Sequence, residues 1–140
     1  MGLFPSYVNS TEEALNYLAG SLQGSAGGVT SITTATITLT AAQAINGFLI
    51  ISGGTTCAVT LPTAAAVVAA FPQAVVGQRF SLEIRNNNSG TATLTTNTGN
   101  TITGTATMPT ATGQRVVGVI TNATAGSEAV TYYPVLTTAS

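Results

Sequence analysis

Few side chains in this chain are suited to acid–base or nucleophilic chemistry. The sequence of 140 residues contains no histidine, no aspartate and no lysine, and its one cysteine is Cys57. Neither a Ser–His–Asp nor a Cys–His arrangement can be built without histidine. One thiol and four glutamates also fall short of a zinc site or a calcium-binding loop. The composition predicts no catalytic, metal-binding or cofactor-binding residue and no small-molecule substrate, so we expect a protein that is not an enzyme.

The four glutamates are better explained by structure than by catalysis. A glycosidase-type pair would need two of them to converge on one site. Glu12 and Glu13 stand at a helix start, and the last glutamate lies in a turn. Glu83 stands between Arg79 and Arg85 on an alternating strand, which favours a surface ion pair with those arginines. We expect Arg79, Glu83 and Arg85 to mark a polar strand at the surface or at a subunit interface.

The charge balance argues against nucleic acids and membranes as partners. The formal net charge is −1, and the three arginines form no basic cluster. Nucleic-acid phosphates and anionic lipids both require several basic side chains. Hydrophobic residues make up 44% of the chain, which is enough for the core of a single domain. So small a net charge favours association with other copies or other proteins.

No export or membrane-spanning signal is expected. Residues 1–25 lack the basic start and the continuous apolar stretch of a signal peptide. The most apolar region, residues 57–76, is interrupted by Pro62 and Pro72, which disfavours a transmembrane helix. Cys57 alternates with apolar residues and is predicted to be a small buried side chain. We expect synthesis in the cytoplasm.

The N-terminal residues 1–28 are predicted to form a docking arm, a short helix and a flexible linker. Ser10 and Glu13 have the spacing of a capping box, which predicts a helix over residues 10–20. A helix of this length is not stable alone in water, so it must pack on a surface. That surface belongs either to a partner or to the chain's own domain. The apolar side chains available for docking are Leu3, Phe4, Tyr7, Val8, Leu15 and Leu18.

Residues 29–140 carry the signal of β-structure, because threonine and valine are frequent and turn residues recur at short intervals. Gly53-Gly54 predicts a hairpin. Pro62, the alanines after it and Pro72 predict one short internal helix over residues 63–70. With a single helix, a βαβ arrangement is disfavoured. We predict an all-β, jelly-roll-like sandwich of about eight strands, at residues 29–40, 47–52, 56–61, 77–86, 91–96, 101–108, 114–122 and 128–136.

Threonine, which occurs 27 times, stands at every second position in residues 36–40, 91–95 and 101–107. Hydroxyls about 6.6 Å apart along a strand resemble the TxT face of ice-binding proteins. Those proteins repeat the motif at a fixed period, however, and no such period is visible here. Threonine is also a good strand former on a solvated face.

Aromatic residues bear on carbohydrate binding, which uses exposed rings. Phe48, Phe71 and Phe80 are expected to be buried. Tyr133 alternates with Tyr132 and is the aromatic residue of the β domain that we expect to face solvent or a neighbour. This is limited support for a lectin.

One stretch resembles a known family. Residues 36 to about 135 contain TLPTAAAVVAAFP followed by VVGQRFSLEIRNNNSGTATL, and this pattern resembles the capsid decoration proteins of tailed bacteriophages, also called cement or head-fibre proteins. The resemblance implies a jelly-roll-like domain, commonly a homotrimer, on the outer surface of the virion. It also implies the major capsid protein as the partner and assembly from protein made in the host cytoplasm. The arm residues that would match capsid-binding arms are Leu3, Phe4, Tyr7 and Val8, with Leu15 and Leu18 on the helix.

Together these features predict a non-enzymatic virion structural protein that decorates and stabilises a phage capsid. Residues 1–28 would be the docking arm, and residues 29–140 the β-sandwich domain. A carbohydrate- or host-surface-binding fibre module is the alternative hypothesis, and an ice-binding β protein is the third.

Overall fold

A computed structural model describes residues 28–137, which form two facing β-sheets with two short helices. The helices are α1 (Ala41–Ala44) and α2 (Ala64–Ala70). The strands in chain order are β1 (Val29–Ile32), β2 (Thr36–Thr38), β3 (Phe48–Ile51), β4 (Cys57–Thr60), β5 (Arg79–Asn86), β6 (Ala92–Thr95), β7 (Asn100–Ile102), β8 (Thr107–Met108), β9 (Thr112–Asn122) and β10 (Ala129–Thr137).

The first six strands wind as successive coils, each of which contributes one strand to each sheet. Sheet A has the order β1-β3-β5-β9-β10-β7, and sheet B has the order β2-β4-β6-β8. Neighbouring coils therefore pair in parallel, β1 with β3 and β3 with β5 in sheet A, and β2 with β4 and β4 with β6 in sheet B. Each coil returns to the same sheet in the same direction, because the chain crosses to the other sheet and back.

Both helices lie where the chain returns from sheet B to sheet A. The Thr40 hydroxyl accepts a hydrogen bond from the Gln43 N–H, and the Gln43 side chain accepts one from the Thr40 N–H, so a capping box begins α1. Thr63 caps α2 by accepting from the Ala66 N–H. The predicted helix over 63–70 is confirmed. Helix α1 is not among the predicted elements, although the Thr40-x-x-Gln43 spacing is a signal for it.

The last two long strands form an antiparallel hairpin that completes sheet A. β9 pairs with β5 on one side and with β10 on the other. The short strand β7 adds to β10 in parallel, and β8 adds to β6 in sheet B. The two strands predicted over 114–122 and 128–136 are confirmed.

The core lies between the two sheets. Alternation in β5 directs Phe80, Leu82 and Ile84 inwards, as predicted. The Phe80 ring packs between Phe71 and Tyr132, with centroid distances of 5.9 and 5.8 Å. Gly118 lies against the same ring, where a Cβ atom would overlap it. The remaining large core side chains include Ile32, Leu39, Leu49, Ile51, Cys57, Val59, Leu61, Val67, Leu94, Met108, Val116, Ile120 and Val130.

Asparagine side chains bind successive coils to each other at the corners between the sheets. At one corner Asn88 Oδ1 accepts a hydrogen bond from the Gly54 N–H at 3.1 Å. At another, Asn97 Nδ2 donates to the Leu61 carbonyl at 3.1 Å. These bonds satisfy backbone groups that lie beyond the strand ladders, so they hold the corners in register.

The fold prediction is confirmed at its coarser level, since the described residues are mostly β and form two sheets. The jelly-roll topology is not confirmed. A jelly roll is assembled from antiparallel neighbours, whereas most strand pairs here are parallel. The described residues also hold ten strands and two helices, rather than about eight strands and one helix.

Three local predictions are wrong for one physical reason. Gly53-Gly54 is a corner and not a hairpin turn, because β3 and β4 belong to different sheets. Residues 29–40 divide into β1 and β2, and residues 101–108 divide between β7 and β8. Alternation indicates which side chains point inwards, but both sheets enclose the same core. It therefore gives no signal where the chain leaves one sheet for the other.

Candidate functional site

The outer surface of sheet A is the candidate functional site, and we call it the arginine face. Five neighbouring strands contribute to it, and all three arginines of the chain point outwards from it. Its members are Val29, Phe48, Ile50, Arg79, Ser81, Glu83, Arg85, Arg115, Val117, Val119, Tyr133 and Val135.

The strand register arranges these side chains in rows across the sheet. One row runs from β1 to β10 through Val29, Phe48, Glu83, Arg115 and Val135. Within it, Arg115 Nη2 donates to Glu83 Oε1 at 2.9 Å, with the two side chains 58% and 49% exposed. An exposed pair of this kind contributes at most about 1 kcal/mol to stability. Its main effect is to fix two charges between two apolar neighbours.

Large apolar side chains are exposed on this face. Phe48, Tyr133 and Val135 are 40%, 42% and 56% exposed. A groove of about 370 Å³ lies between Phe48 and Val135, and Glu83, Arg85 and Arg115 contribute to its walls. Exposed aromatic and arginine side chains on one surface are typical of the centres of protein–protein interfaces.

The structure brings together the polar residues predicted for this surface. Arg79, Glu83 and Arg85 alternate outwards along β5, as predicted. The predicted pairing of Glu83 with its own-strand neighbours is wrong, because its partner is Arg115 on β9. Arg85 instead donates from Nε to Asn87 Oδ1 at 2.9 Å. Arg115 is the residue that sequence reasoning missed, since only the antiparallel register of β5 and β9 brings it beside Glu83.

The burial predicted for the aromatic residues is confirmed in part. Phe80 is buried and Tyr133 is exposed, as expected, and Tyr132 is buried. Phe71, which is expected to be buried, is half-buried. Phe48 is exposed, which corrects the prediction that it is buried. A continuous apolar run such as β3 is typical of a strand covered on both sides, but within residues 28–137 only its inner face is covered. The predicted arm residues Leu3, Phe4, Tyr7, Val8, Leu15 and Leu18 lie outside the described residues.

Sheet B has an outer surface of a different chemistry, which carries threonines and no charge. Thr36, Ala58, Thr93 and Thr107 align in one row, and Thr38, Thr60 and Thr95 align in another. The hydroxyls of Thr60 and Thr95 are 2.8 Å apart. We call these seven residues the threonine face. It includes parts of all three predicted threonine runs, but the run over 101–107 contributes only Thr107, because its first residues belong to β7 in sheet A.

The groups that could do chemistry are separated or buried. Burial raises the pKa of the Cys57 thiol, and the side chain lies inside the core as predicted. Burial also raises the pKa of the Tyr132 phenol. Within residues 28–137, no three His, Cys, Asp or Glu side chains are close enough to hold a metal ion together. In the same residues, neither helix has the length and apolar character needed to cross a membrane.

Comparison with known proteins returns no match to a family model, to a curated protein or to a solved structure.

Proposed function

We propose that this protein is a non-enzymatic structural protein of a phage virion, which decorates the outer surface of the capsid and stabilises it by binding the major capsid protein. The arginine face is the observation that supports this proposal most. It is an exposed sheet surface that combines aromatic, aliphatic and guanidinium groups. The resemblance of residues 36–135 to capsid decoration proteins suggests the class of partner.

The side chains of the arginine face suit a protein partner. Burying an exposed valine or phenylalanine side chain contributes roughly 1.5–3 kcal/mol, and Phe48, Tyr133 and Val135 retain this area for a partner. Guanidinium groups bind carboxylates with two parallel hydrogen bonds, which adds orientation to affinity. Apolar burial would thus supply most of the affinity, and the arginines would select the orientation.

Assembly as a homotrimer would multiply these contacts. Each subunit would bring one arginine face and one N-terminal arm, with Leu3, Phe4, Tyr7 and Val8 as the arm's anchors. Linked weak contacts give an avidity far above that of any single contact, provided that all can engage together. A capsid offers such repeated sites at fixed spacing.

The experiment is a binding assay on undecorated heads of the phage that encodes the chain. Purified protein is mixed with the heads, and the bound fraction is measured by co-sedimentation. The test variant is Phe48→Ser with Val135→Ser, which removes two exposed apolar side chains from the arginine face. We expect its affinity to fall by at least about tenfold, equivalent to 1.4 kcal/mol.

The matched control is Val75→Ser with Val76→Ser. Both valines are exposed, at 59% and 66%, and neither belongs to the arginine face. This control is expected to bind as the wild type does, and thermal unfolding verifies that both variants fold. Equal binding by the two variants would contradict a role for the arginine face. No binding of the wild type to the heads would contradict capsid decoration itself.

A further inference from the structure

We infer that the arginine face binds residues 10–20 of this protein, the helix predicted from the Ser10–Glu13 capping signal. The inference deepens the proposed function and rests on the arginine face being a protein-binding surface. Docked there, the helix would fix the base of the N-terminal arm. The apolar residues before it would then extend from a defined point towards the capsid.

Charge complementarity supports this occupant. The chain has seven charged side chains, and Glu12 and Glu13 are two of its four acidic ones. The arginine face holds Arg79, Arg85, Arg115 and Glu83, which gives it a net charge of +2. The remaining glutamate accepts a hydrogen bond from the Gly126 N–H in the β9–β10 connection. Opposite charges are therefore concentrated in residues 10–20 and on the arginine face.

The chain enters the domain at the edge of this face. The Gly28 carbonyl accepts a hydrogen bond from the Phe48 N–H at 2.9 Å. The N-terminal residues therefore join the domain beside the row that contains Phe48 and Arg115. Gly20 and Gly28 are eight positions apart, and a Gly- and Ser-rich linker over that distance in sequence has a mean span of about 16 Å. From β1 to β9 the distance is three strand spacings, about 14 Å. The linker can therefore place the helix over the arginines.

The helix also matches the face in size and polarity. Residues 10–20 would form a helix about 16 Å long, close to the width from β3 to β10, which is about 14 Å. Leu15 and Leu18 lie on one side of such a helix. The arginine face presents Val117 and Val119 to them, and both side chains are half-buried in the domain alone.

Protease cleavage of the full-length protein tests the inference. A glutamyl-specific protease cleaves after Glu12 and Glu13, and a docked helix resists it. The test variant Arg85→Thr with Arg115→Thr removes two positive charges from the arginine face. Its control, Thr36→Asp with Thr107→Asp, changes the net charge equally but on the threonine face. We expect cleavage after Glu12 and Glu13 to be about tenfold faster in the test variant than in the wild type or the control, as a loss of about 1.4 kcal/mol would give. Equal rates in all three proteins would overturn the inference.

Cross-linking identifies the surface that the helix contacts. In a Cys57→Ala background, Ala19→Cys is combined either with Val117→Cys on the arginine face or with Thr93→Cys on the threonine face. A short bis-maleimide is expected to link position 19 to position 117 and not to position 93. A one-chain product means that the helix docks on its own domain, a two-chain product means a neighbouring subunit, and both support the inference. Equal linking at the two faces, or none at position 117, would overturn it.

These measurements use purified protein without capsids. Failure of the helix to dock would leave the head-binding result unchanged. Failure to bind heads would leave the protease and cross-linking results unchanged. The two proposals can therefore fail separately.

Discussion

Tyr132 is the largest fully buried side chain of the domain, and its hydroxyl has no hydrogen-bond partner among residues 28–137. The ring packs edge-on against Phe80, with 5.8 Å between the ring centroids, so its apolar carbons are packed in the core. The hydroxyl, by contrast, has lost water without gaining a partner from the described residues, which costs about 1–3 kcal/mol. Burial favours the neutral phenol and raises its pKa above the ordinary value of 10.0.

The variant Tyr132→Phe is therefore expected to be as stable as the wild type at pH 7, or more stable by about 1 kcal/mol. The two proteins should diverge in alkali. In the wild type the folded state keeps the phenolic proton to a higher pH than the unfolded state, so stability is complete below pH 10 and falls as the pH rises above it. The slope specific to Tyr132 is about 1.4 kcal/mol per pH unit.

Urea unfolding at pH 7, 9 and 11 measures this difference. Tyr133→Phe is the matched control, because Tyr133 is its exposed neighbour on the same strand. The control keeps the buried Tyr132 phenol, so it should keep the loss of stability in alkali that this phenol causes. Parallel pH profiles for Tyr132→Phe and the wild type would contradict the effect of burial on this phenol.

At the scale of elements, the corner between β5 and β6 depends on one buried asparagine. Asn86 Nδ2 lies within hydrogen-bond distance of the carbonyls of Gly90, Met108 and Pro109, at 2.9, 2.9 and 3.2 Å. Its Oδ1 accepts from the Asn88 N–H at 3.0 Å. One side chain thus connects β5, the turn before β6 and the end of β8, and no aliphatic side chain can replace these contacts.

Replacement of Asn86 by alanine is expected to lower the free energy of unfolding by about 2–4 kcal/mol, because it removes the amide donor to these carbonyl groups and the acceptor of the Asn88 N–H. Asn87→Ala is the control at the adjacent, exposed position, and we expect it to change stability by less than about 0.5 kcal/mol. Chemical denaturation of the two variants measures both effects. Similar losses for the two would show that the corner does not depend on the side chain of Asn86.

At the scale of the whole molecule, exposed apolar area and low net charge favour self-association. The net charge of −1 gives little repulsion between copies. We expect the full-length protein to be a homotrimer in solution, with a mass about three times 13.9 kDa. Light scattering on a sizing column measures this mass. A concentration-independent mass of one chain would contradict the trimer, and head binding would then have to rely on single subunits.

Some properties of this protein were determined by the sequence itself. The lack of histidine, aspartate and lysine restricts the available chemistry in any fold. The alternation of β5 assigned Phe80, Leu82 and Ile84 to the core and Arg79, Glu83 and Arg85 to the surface. The proline and alanine pattern located α2, and the turn after Asn122 located the β9–β10 hairpin. Each of these features depends on local geometry, which a short segment specifies.

Only the tertiary structure decided which strands are neighbours. Parallel coils join residues far apart in sequence, such as Val29, Phe48 and Glu83, and no local pattern encodes that register. The same is true of Arg115, which joins Glu83 only through the pairing of β5 and β9. The arginine face exists because these long-range registers place the outward residues of five strands side by side. Phe48 is exposed because, within residues 28–137, sheet A is covered on one side. Alternation separates inside from outside within a strand, but the partner of each strand is chosen by the packing of the whole chain.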